Sequence, residues 1–291
     1  MSQCVICFGD REKKIYDGDI RNGPIGTYCF GEINKCENCG IVRLAERYCL
    51  VENDYIEQDY RLSLKQSYDL KEYEKEHLTA HQKLHEQLLK EDVNFGNKRL
   101  IDVGCGGGSF LNKYYDEAEE IILIEPDREF RGLLQKAGRK VFPSISCLMK
   151  ITPEKADFVI LNQVIEHVDN PIEILRECKD LLADNGYLIV TTPNLDDVLN
   201  KVGCTKFMKH FYRVQHRWYF NLETLKMVAA RANLTADISQ TYHRYNFTNF
   251  MGWMGLEYSG ENLNQLNDYW RSAVEKNGNG DNLFVLLRKA N

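Results

Sequence analysis

The chain has 291 residues, of which 43% are hydrophobic and 27% are charged, and its formal net charge is −6. This length suits one large domain or one domain with a small module, and the net charge argues against a nucleic-acid partner. No apolar stretch approaches the roughly 18 residues of a membrane helix and the amino terminus lacks a signal-peptide pattern, so we expect a cytoplasmic protein that binds no membrane.

The amino-terminal segment has the cysteine spacing of a structural zinc site. Two C-x-x-C pairs are typical of a Cys4 centre, and we predict a zinc-binding module over residues 1–48 whose ligands are Cys4, Cys7, Cys36 and Cys39. The segment has little apolar mass, so bound metal would stabilise it by about 10–16 kcal/mol. Cys29 could replace one ligand, and reduced cysteines without a role are the alternative. Four thiolates leave no open coordination position, so a catalytic zinc is disfavoured.

Residues 49–97 are predicted to form a helical linker that serves as a cofactor lid. Apolar and histidine side chains recur there at spacings of three and four, which indicates one face of a helix made by Leu78, His81, Leu84, His85, Leu88 and Leu89. His77, His81 and His85 also lie one turn apart. They could bind a metal, but a partly solvated helix face is the favoured interpretation.

A glycine-rich loop, "GCGGGS", follows a short predicted strand over residues 100–103. Glycine is needed where a cofactor must touch the backbone, since a Cβ would prevent that approach. Asp102 precedes the loop, where its carboxylate can accept a hydrogen bond from an ammonium group. Glu125 ends the next strand, about 20 residues on, where a carboxylate can bind both ribose hydroxyls.

The pattern of strand and helix then continues. We predict short strands near residues 141–142 and 158–161, a helix over 171–182, a turn "ADNG" and a strand "YLIVTTPN". Such alternation predicts a parallel sheet with helices on both faces and ligands at the carboxyl ends of the strands. Asn162 and Gln163 fall at such an end, as Asp102 and Glu125 do.

Three motifs resemble those of class I S-adenosylmethionine-dependent methyltransferases: "IDVGCGGG", "LIEPD" and "FVILNQVIEHV". The resemblance implies a Rossmann-like, seven-stranded, mostly parallel sheet over residues 98–291, with the final strand antiparallel. It also implies that S-adenosylmethionine is bound by Asp102, Gly104, Gly106, Gly108, Glu125, Asn162 and Gln163. Ser144 and Ile145 would lie near the adenine, where many relatives have an acidic residue.

The catalytic candidates are His167, His216 and Glu166. His167 lies just beyond the fourth strand, so we predict it to be the base that deprotonates an acceptor hydroxyl, with Glu166 as an orienting group. A hydrogen-bonded histidine beneath a lid is the alternative. His216 lies in an insertion over about 196–220, at the position where relatives have a histidine that reaches into the acceptor pocket.

The insertion has further polar and aromatic residues after His216. Arg217 could bind a phosphate or carboxylate of the acceptor. Trp218 and Tyr219 could stack on a sugar or simply pack beneath the next helix. The segment could act as a lid or as a dimer contact, and the sequence predicts no oligomeric state.

The whole arrangement resembles bacterial sugar methyltransferases, in which a Cys4 module and paired tyrosines, here Tyr55 and Tyr60, precede a class I core. Relatives that methylate carbon have a further carboxyl-terminal domain, before which this chain ends. We therefore expect O-methylation of a small molecule: a sugar, a nucleotide-sugar or a phosphorylated intermediate of surface polysaccharide synthesis.

Two other functions remain open. An RNA methyltransferase would use the zinc module as an RNA clamp and "KFMKHFYRVQHRW" as its basic footprint, although the net charge and the lack of N-P-P-[YF] argue against it. A non-catalytic cofactor-binding scaffold would explain the module as a docking surface, but the intact glycines and both acidic positions disfavour it.

Overall fold

The computed structural model describes residues 3–50, 67–151, 153–256 and 263–290. A small antiparallel sheet has the order β1-β2-β3-β9 and consists of β1 (Glu12–Arg21), β2 (Tyr28–Cys36), β3 (Val42–Leu44) and β9 (Trp218–Tyr219). A larger sheet consists of β4 (Arg99–Val103), β5 (Glu120–Ile124), β6 (Val141–Phe142), β7 (Ala156–Asn162), β8 (Leu182–Pro193), β10 (Leu234–Tyr242) and β11 (Asn282–Lys289).

The α-helices in the described part of the chain are α1 (Leu70–Lys90), α2 (Arg128–Lys136), α3 (Ile145–Met149), α4 (Pro171–Leu181), α5 (Val198–Lys201), α6 (Thr205–Phe211), α7 (Leu222–Arg231), α8 (Phe247–Trp253) and α9 (Leu263–Lys276). Most begin at a side chain that accepts backbone N–H bonds, as Asn170 does for α4 and Asn221 for α7. A 3₁₀ helix follows the glycine loop over Ser109–Tyr114. No helix described here is long and apolar enough to cross a membrane.

The larger sheet confirms the predicted α/β fold. Its order is β10-β11-β8-β7-β4-β5-β6; β11 is antiparallel to both neighbours, and the other pairs are parallel. The strands are apolar runs because both faces are covered, and the central ones are buried almost completely. The predicted "ADNG" turn is wrong in detail. It lies inside β8 as a bulge, where pairing moves from Ala156–Leu182 to Phe158–Tyr187.

Helix α1 lies against the glycine-loop side of the sheet, but its buried face differs from the predicted stripe. Leu84 and Leu88 are buried, whereas Leu78 and Leu89 are 47% and 70% exposed. Burial lowers the pKa of His81 and of His85 to about 4, and the His85 ring stacks on Phe110 at 4.8 Å between centroids. These packing contacts favour the helix-face interpretation of the histidines.

The amino-terminal sheet shares its packing with the insertion. Strand β3 pairs with β9, which lies directly after the insertion's His216 and Arg217. Ile20, Ile33 and Leu44 form one buried cluster with Tyr212 and Tyr219. The described insertion is therefore packed against the module, which supplies the apolar surface that the module lacks by itself. The predicted tyrosines Tyr55 and Tyr60 lie outside the described residues.

Candidate active site

The four predicted zinc ligands converge. Their sulfur atoms all lie within 4.8 Å of one another, with Cys4–Cys39 at 3.8 Å and Cys7–Cys36 at 3.5 Å. A tetrahedral zinc with bonds of about 2.3 Å requires sulfurs roughly 3.8 Å apart, so the cluster fits the metal. The Gly9 amide donates to Cys7 Sγ at 3.4 Å, as expected for a site that stabilises thiolates. Cys29 is not part of this four-sulfur cluster, within the described chain.

Three glycines of the loop adopt the left-handed backbone conformation. Gly104, Gly106 and Gly108 have φ angles of 73°, 56° and 69°, a region that other residues rarely adopt. A Cβ at Gly104 would lie 2.6 Å from Val164, and one at Gly106 would lie 2.3 Å from the hydroxyl of Tyr73. The loop therefore packs against both the end of β7 and the start of α1.

Two buried carboxylates flank this loop. Glu125 accepts the Gly106 amide at 2.6 Å and the Asp127 amide at 2.8 Å, so it lies against the glycine backbone. Burial, and then the charge of Glu125, raise the pKa of Asp102 to about 7. Positively charged and hydroxyl-bearing ligand groups would stabilise both carboxylates, so the pair and the glycine cradle fit S-adenosylmethionine.

The end of β7 is held in a specific conformation by neighbouring strands. Gln163 has a positive φ of 57°, which is uncommon for a residue other than glycine. Its side-chain amide donates to Asn282 Oδ1 at 2.9 Å and to Thr191 Oγ1 at 3.3 Å. The Thr191 hydroxyl donates to Asn162 Oδ1 at 2.5 Å. A hydrogen-bond network between β7, β8 and β11 therefore orients the side-chain amides of Asn162 and Gln163.

The three catalytic candidates lie together just beyond this network. Glu166 is 1% exposed and accepts the Thr192 hydroxyl at 2.9 Å through Oε2, while its Oε1 lies 3.9 Å from His167 Nε2. Burial raises the pKa of Glu166 to about 7. His167 Nδ1 donates to the Gln215 carbonyl at 2.6 Å, which places the lone pair of a neutral ring on Nε2.

The two histidines differ in their surroundings. Their rings pack edge to face at 4.8 Å, but His216 is 5% exposed whereas the side chain of His167 is 24% exposed. Burial, with Arg213 nearby, holds the pKa of His216 well below its usual value. Ligand atoms of Glu166, His167 and His216 all lie within 4.8 Å, so this group could also hold a divalent cation.

The structure assigns the other insertion residues to packing. The Arg217 guanidinium contacts Glu46 at 3.0 Å and Asp169 at 3.1 Å, so it joins the module to the core and does not face an acceptor. Trp218 is buried and donates to the Val168 carbonyl at 2.7 Å, and Tyr219 is buried with it. The hypotheses of anion binding by Arg217 and of sugar stacking by these aromatic residues are not supported.

Several contacts at the site could not be inferred from the motifs. Tyr73 covers the glycine loop, Thr192 binds Glu166, and the Gln215 carbonyl sets the tautomer of His167. Thr192 could have been considered from the sequence because it lies at the carboxyl end of a predicted strand. For Tyr73 the sequence gives weaker evidence: it lies one helical turn before His77, in a segment predicted to be a cofactor lid.

Comparison with known proteins identifies the family. A family model described as a methyltransferase domain matches residues 72–238. The ubiquinone biosynthesis O-methyltransferase of Rhodopseudomonas palustris is 26% identical over 189 residues, which are 62% of this chain and 68% of that protein. The protein of the same name from Vibrio campbellii is 29% identical over 114 residues, which are 37% of this chain and 48% of that one. The chain thus spans about half the length of several such relatives.

Solved structures show the same fold. A SAM-dependent methyltransferase from Archaeoglobus fulgidus superposes with a TM-score of 0.51 at 17% identity, covering 79% of this chain and 98% of that one. The plantazolicin methyltransferase BamL gives a TM-score of 0.51 at 15% identity, covering 81% and 92%. Because the family match extends over more than half of the chain, the protein belongs to the methyltransferase-domain family and is a methyltransferase.

Proposed function

We propose that the protein methylates a hydroxyl oxygen of a small molecule, with His167 as the base and Glu166 as the group that orients it. One observation carries the proposal: the hydrogen bond from His167 Nδ1 to the Gln215 carbonyl leaves Nε2 as the basic nitrogen, beside Glu166 at the sheet edge. A base in that tautomer can accept the proton of an acceptor hydroxyl. His216, which packs against the ring, would limit the motion of His167 and exclude water.

The proposed cofactor residues would each bind a different part of S-adenosylmethionine. Asp102 would bind the ammonium group of the methionine part, and Glu125 the ribose hydroxyls, while the glycine loop allows close approach of the backbone. Gln163 and Asn162, oriented from β8 and β11, would line the methyl position. S-adenosylmethionine supplies an electrophilic methyl group on its sulfonium, so the chain's main contribution is alignment of the acceptor oxygen with that group.

The module over residues 1–48 would bind zinc for structure. Four sulfur ligands leave no position for a substrate, and β3 of the module holds β9 in place. The zinc would thus stabilise the segment that presents Gln215 and His216 to His167. Helix α1 lies over the glycine loop through Tyr73, which supports a cofactor-lid role for residues 49–97.

For the acceptor we propose a sugar, a nucleotide-sugar or a phosphorylated intermediate of surface polysaccharide synthesis, on the basis of the module and its order in the chain. The RNA-methyltransferase alternative is disfavoured because two basic side chains of its predicted RNA-binding segment are paired with carboxylates. Lys209 contacts Asp19 at 2.7 Å, and Arg217 contacts both Glu46 and Asp169. The named O-methyltransferase relatives support oxygen as the methylated atom.

The test uses S-adenosylmethionine with a tritiated methyl group, incubated with purified protein and with fractionated extract of the source cell. We expect label in a small-molecule or polysaccharide fraction, and its loss with His167→Ala. Thermal stability and binding of S-adenosylhomocysteine serve as controls for folding of the variant. Label confined to RNA, or full incorporation by the His167 variant, would contradict the proposal.

A further inference from the structure

A second polar centre lies at the same sheet edge and has no part in the chemistry described above. Strand β10 is antiparallel to β11, and β11 is antiparallel to β8, so β10 and β8 end at the same edge. Arg244 follows β10 by two residues and therefore lies at the same edge of the sheet as Gln163 and Glu166. This edge is where ligands bind in open α/β sheets.

Arg244 is held by a buried carboxylate. Asp281 accepts the Arg244 backbone amide at 2.7 Å through Oδ1 and its Nε at 2.6 Å through Oδ2. The Asp281 amide donates to His243 Nδ1 at 3.1 Å, and the pKa of His243 is lowered by burial, so that ring is neutral. The guanidinium is thus held by Asp281, and its carbon lies 5.5 Å from the centroid of the Tyr245 ring.

This anchoring leaves one edge of the guanidinium unused. Asp281 binds Nε and the main chain, while the two terminal Nη groups of Arg244 have no hydrogen-bond partner in the described part of the chain. The side chain is 23% exposed, so a ligand can reach it. Two adjacent Nη groups match the two oxygens of a carboxylate or a phosphate.

A chain of side chains connects Arg244 to the methyl position. Asn282 donates to Asp281 Oδ2 at 2.6 Å and accepts the amide of Gln163 at 2.9 Å. Arg244 also interacts electrostatically with Glu166, as does Arg213. An anion bound at Arg244 would therefore lie near the base and the methyl group, joined to them by fixed hydrogen bonds.

From these contacts we propose that Arg244 binds an oxyanion of the acceptor, a phosphate or a carboxylate, and so determines the substrate class. This inference rests on the proposed function, because it takes the sheet edge beside Gln163 and Glu166 as the acceptor site. Arg217, the earlier candidate for this role, is already paired with two carboxylates.

The test titrates inorganic phosphate, and separately acetate, into the zinc-containing protein saturated with S-adenosylhomocysteine, at constant ionic strength. Arginine Nε–H signals in ¹H–¹⁵N spectra report binding. We expect one signal to shift saturably and to be absent from Arg244→Gln, with phosphate affinity at least about tenfold weaker in that variant. Acetate as the stronger probe would indicate a carboxylate acceptor, and phosphate a phosphorylated one.

Arg288→Gln is the matched control, because Arg288 Nε pairs with Asp237 at 2.7 Å at the opposite end of the same two strands. It should bind phosphate as the unchanged protein does. Equal phosphate affinity in Arg244→Gln, or no saturable shift in the unchanged protein, would overturn the inference. If Arg244→Gln does not fold, Arg244→Met replaces it, because methionine keeps an apolar stem without the charge, and undiminished phosphate affinity there has the same meaning.

Incorporation of the tritiated methyl group separates this inference from the proposed function. A protein that binds phosphate through Arg244 but labels no small-molecule or polysaccharide fraction would contradict the proposed function alone. A protein that labels such a fraction but shows no phosphate site would contradict the inference about Arg244 alone.

Discussion

Two histidines with the same chemistry are placed differently by their neighbours. His167 is partly exposed and has a tautomer set by a main-chain carbonyl, whereas His216 is buried beside cationic arginines. A base must reach both the acceptor and solvent, and it must hold a proton during the reaction. The surroundings of His167 meet these requirements, and those of His216 disfavour a protonated ring.

We therefore expect His167→Ala to lower kcat by about 10²-fold or more, since general-base catalysis has about that size. His216→Asn, which keeps a polar side chain of similar shape, should lower kcat less. The measurement is the turnover of both variants at saturating S-adenosylmethionine, with cofactor affinity determined by calorimetry. A larger loss of kcat in the His216 variant would assign the base to His216.

The elevated pKa of Asp102 predicts a pH dependence of cofactor affinity. Burial, and then the charge of Glu125, raise it to about 7, so below pH 7 the carboxyl is protonated and must lose its proton to bind an ammonium group. Affinity for S-adenosylmethionine should increase as pH rises towards 7 and level off above it.

Calorimetry between pH 5.5 and 7.5 measures this, and Asp102→Asn should give weaker binding without that slope. Asp197→Asn is the control. Burial also raises the pKa of Asp197 to about 7, but Asp197 caps the start of α5 and is not one of the proposed cofactor ligands, so its replacement should leave the slope unchanged. A slope that persists in Asp102→Asn would assign the titration to another group.

At the scale of elements, the predicted and observed faces of α1 can be compared directly. The spacing predicted a helix correctly, but the helix rotates so that Leu84 is buried and Leu89 is exposed. Sequence spacing alone could not set this rotation, because apolar and histidine residues occupy more than one face. In the observed orientation, His81 and His85 both contact Phe110.

The matched pair Leu84→Ala and Leu89→Ala tests the orientation. Truncation of a buried leucine costs about 2–5 kcal/mol, so the first variant should lose that much free energy of unfolding. The exposed Leu89 should lose less than about 0.5 kcal/mol. Urea unfolding measures both, and a comparable loss in the two variants would contradict the observed face.

The module over residues 1–48 is predicted to stabilise the segment with Gln215 and His216 through the pairing of β3 with β9. We expect Cys36→Ser with Cys39→Ser to remove bound zinc, lower the melting temperature and reduce turnover, because β9 would lose its neighbour. Cys29→Ser, which changes a thiol of β2 outside the sulfur cluster, should keep zinc and activity. Elemental analysis with thermal melting provides the comparison. Full activity without zinc would show that the segment with Gln215 and His216 does not depend on the module.

At the scale of the whole molecule, the features that could be predicted from the sequence are those set by residues close together in the chain. Strand ends carry Asp102, Glu125 and Gln163, and the repeated strand–helix order defines the larger sheet. The pairing of Val42 with Tyr219 joins residues far apart in the chain, and no local pattern indicates it. The roles of Thr192 and Arg244 likewise depend on strands brought together only by the fold.

Tyr73 has a kinetic consequence. Its ring lies where a Cβ on Gly106 or Gly107 would be, over the backbone that a cofactor has to touch, and it packs against His77 and Phe130. Entry of S-adenosylmethionine then requires the start of α1 to withdraw, so the observed association rate should approach a plateau as cofactor concentration increases. The same barrier would slow the release of S-adenosylhomocysteine, so product release rather than methyl transfer would limit the turnover rate.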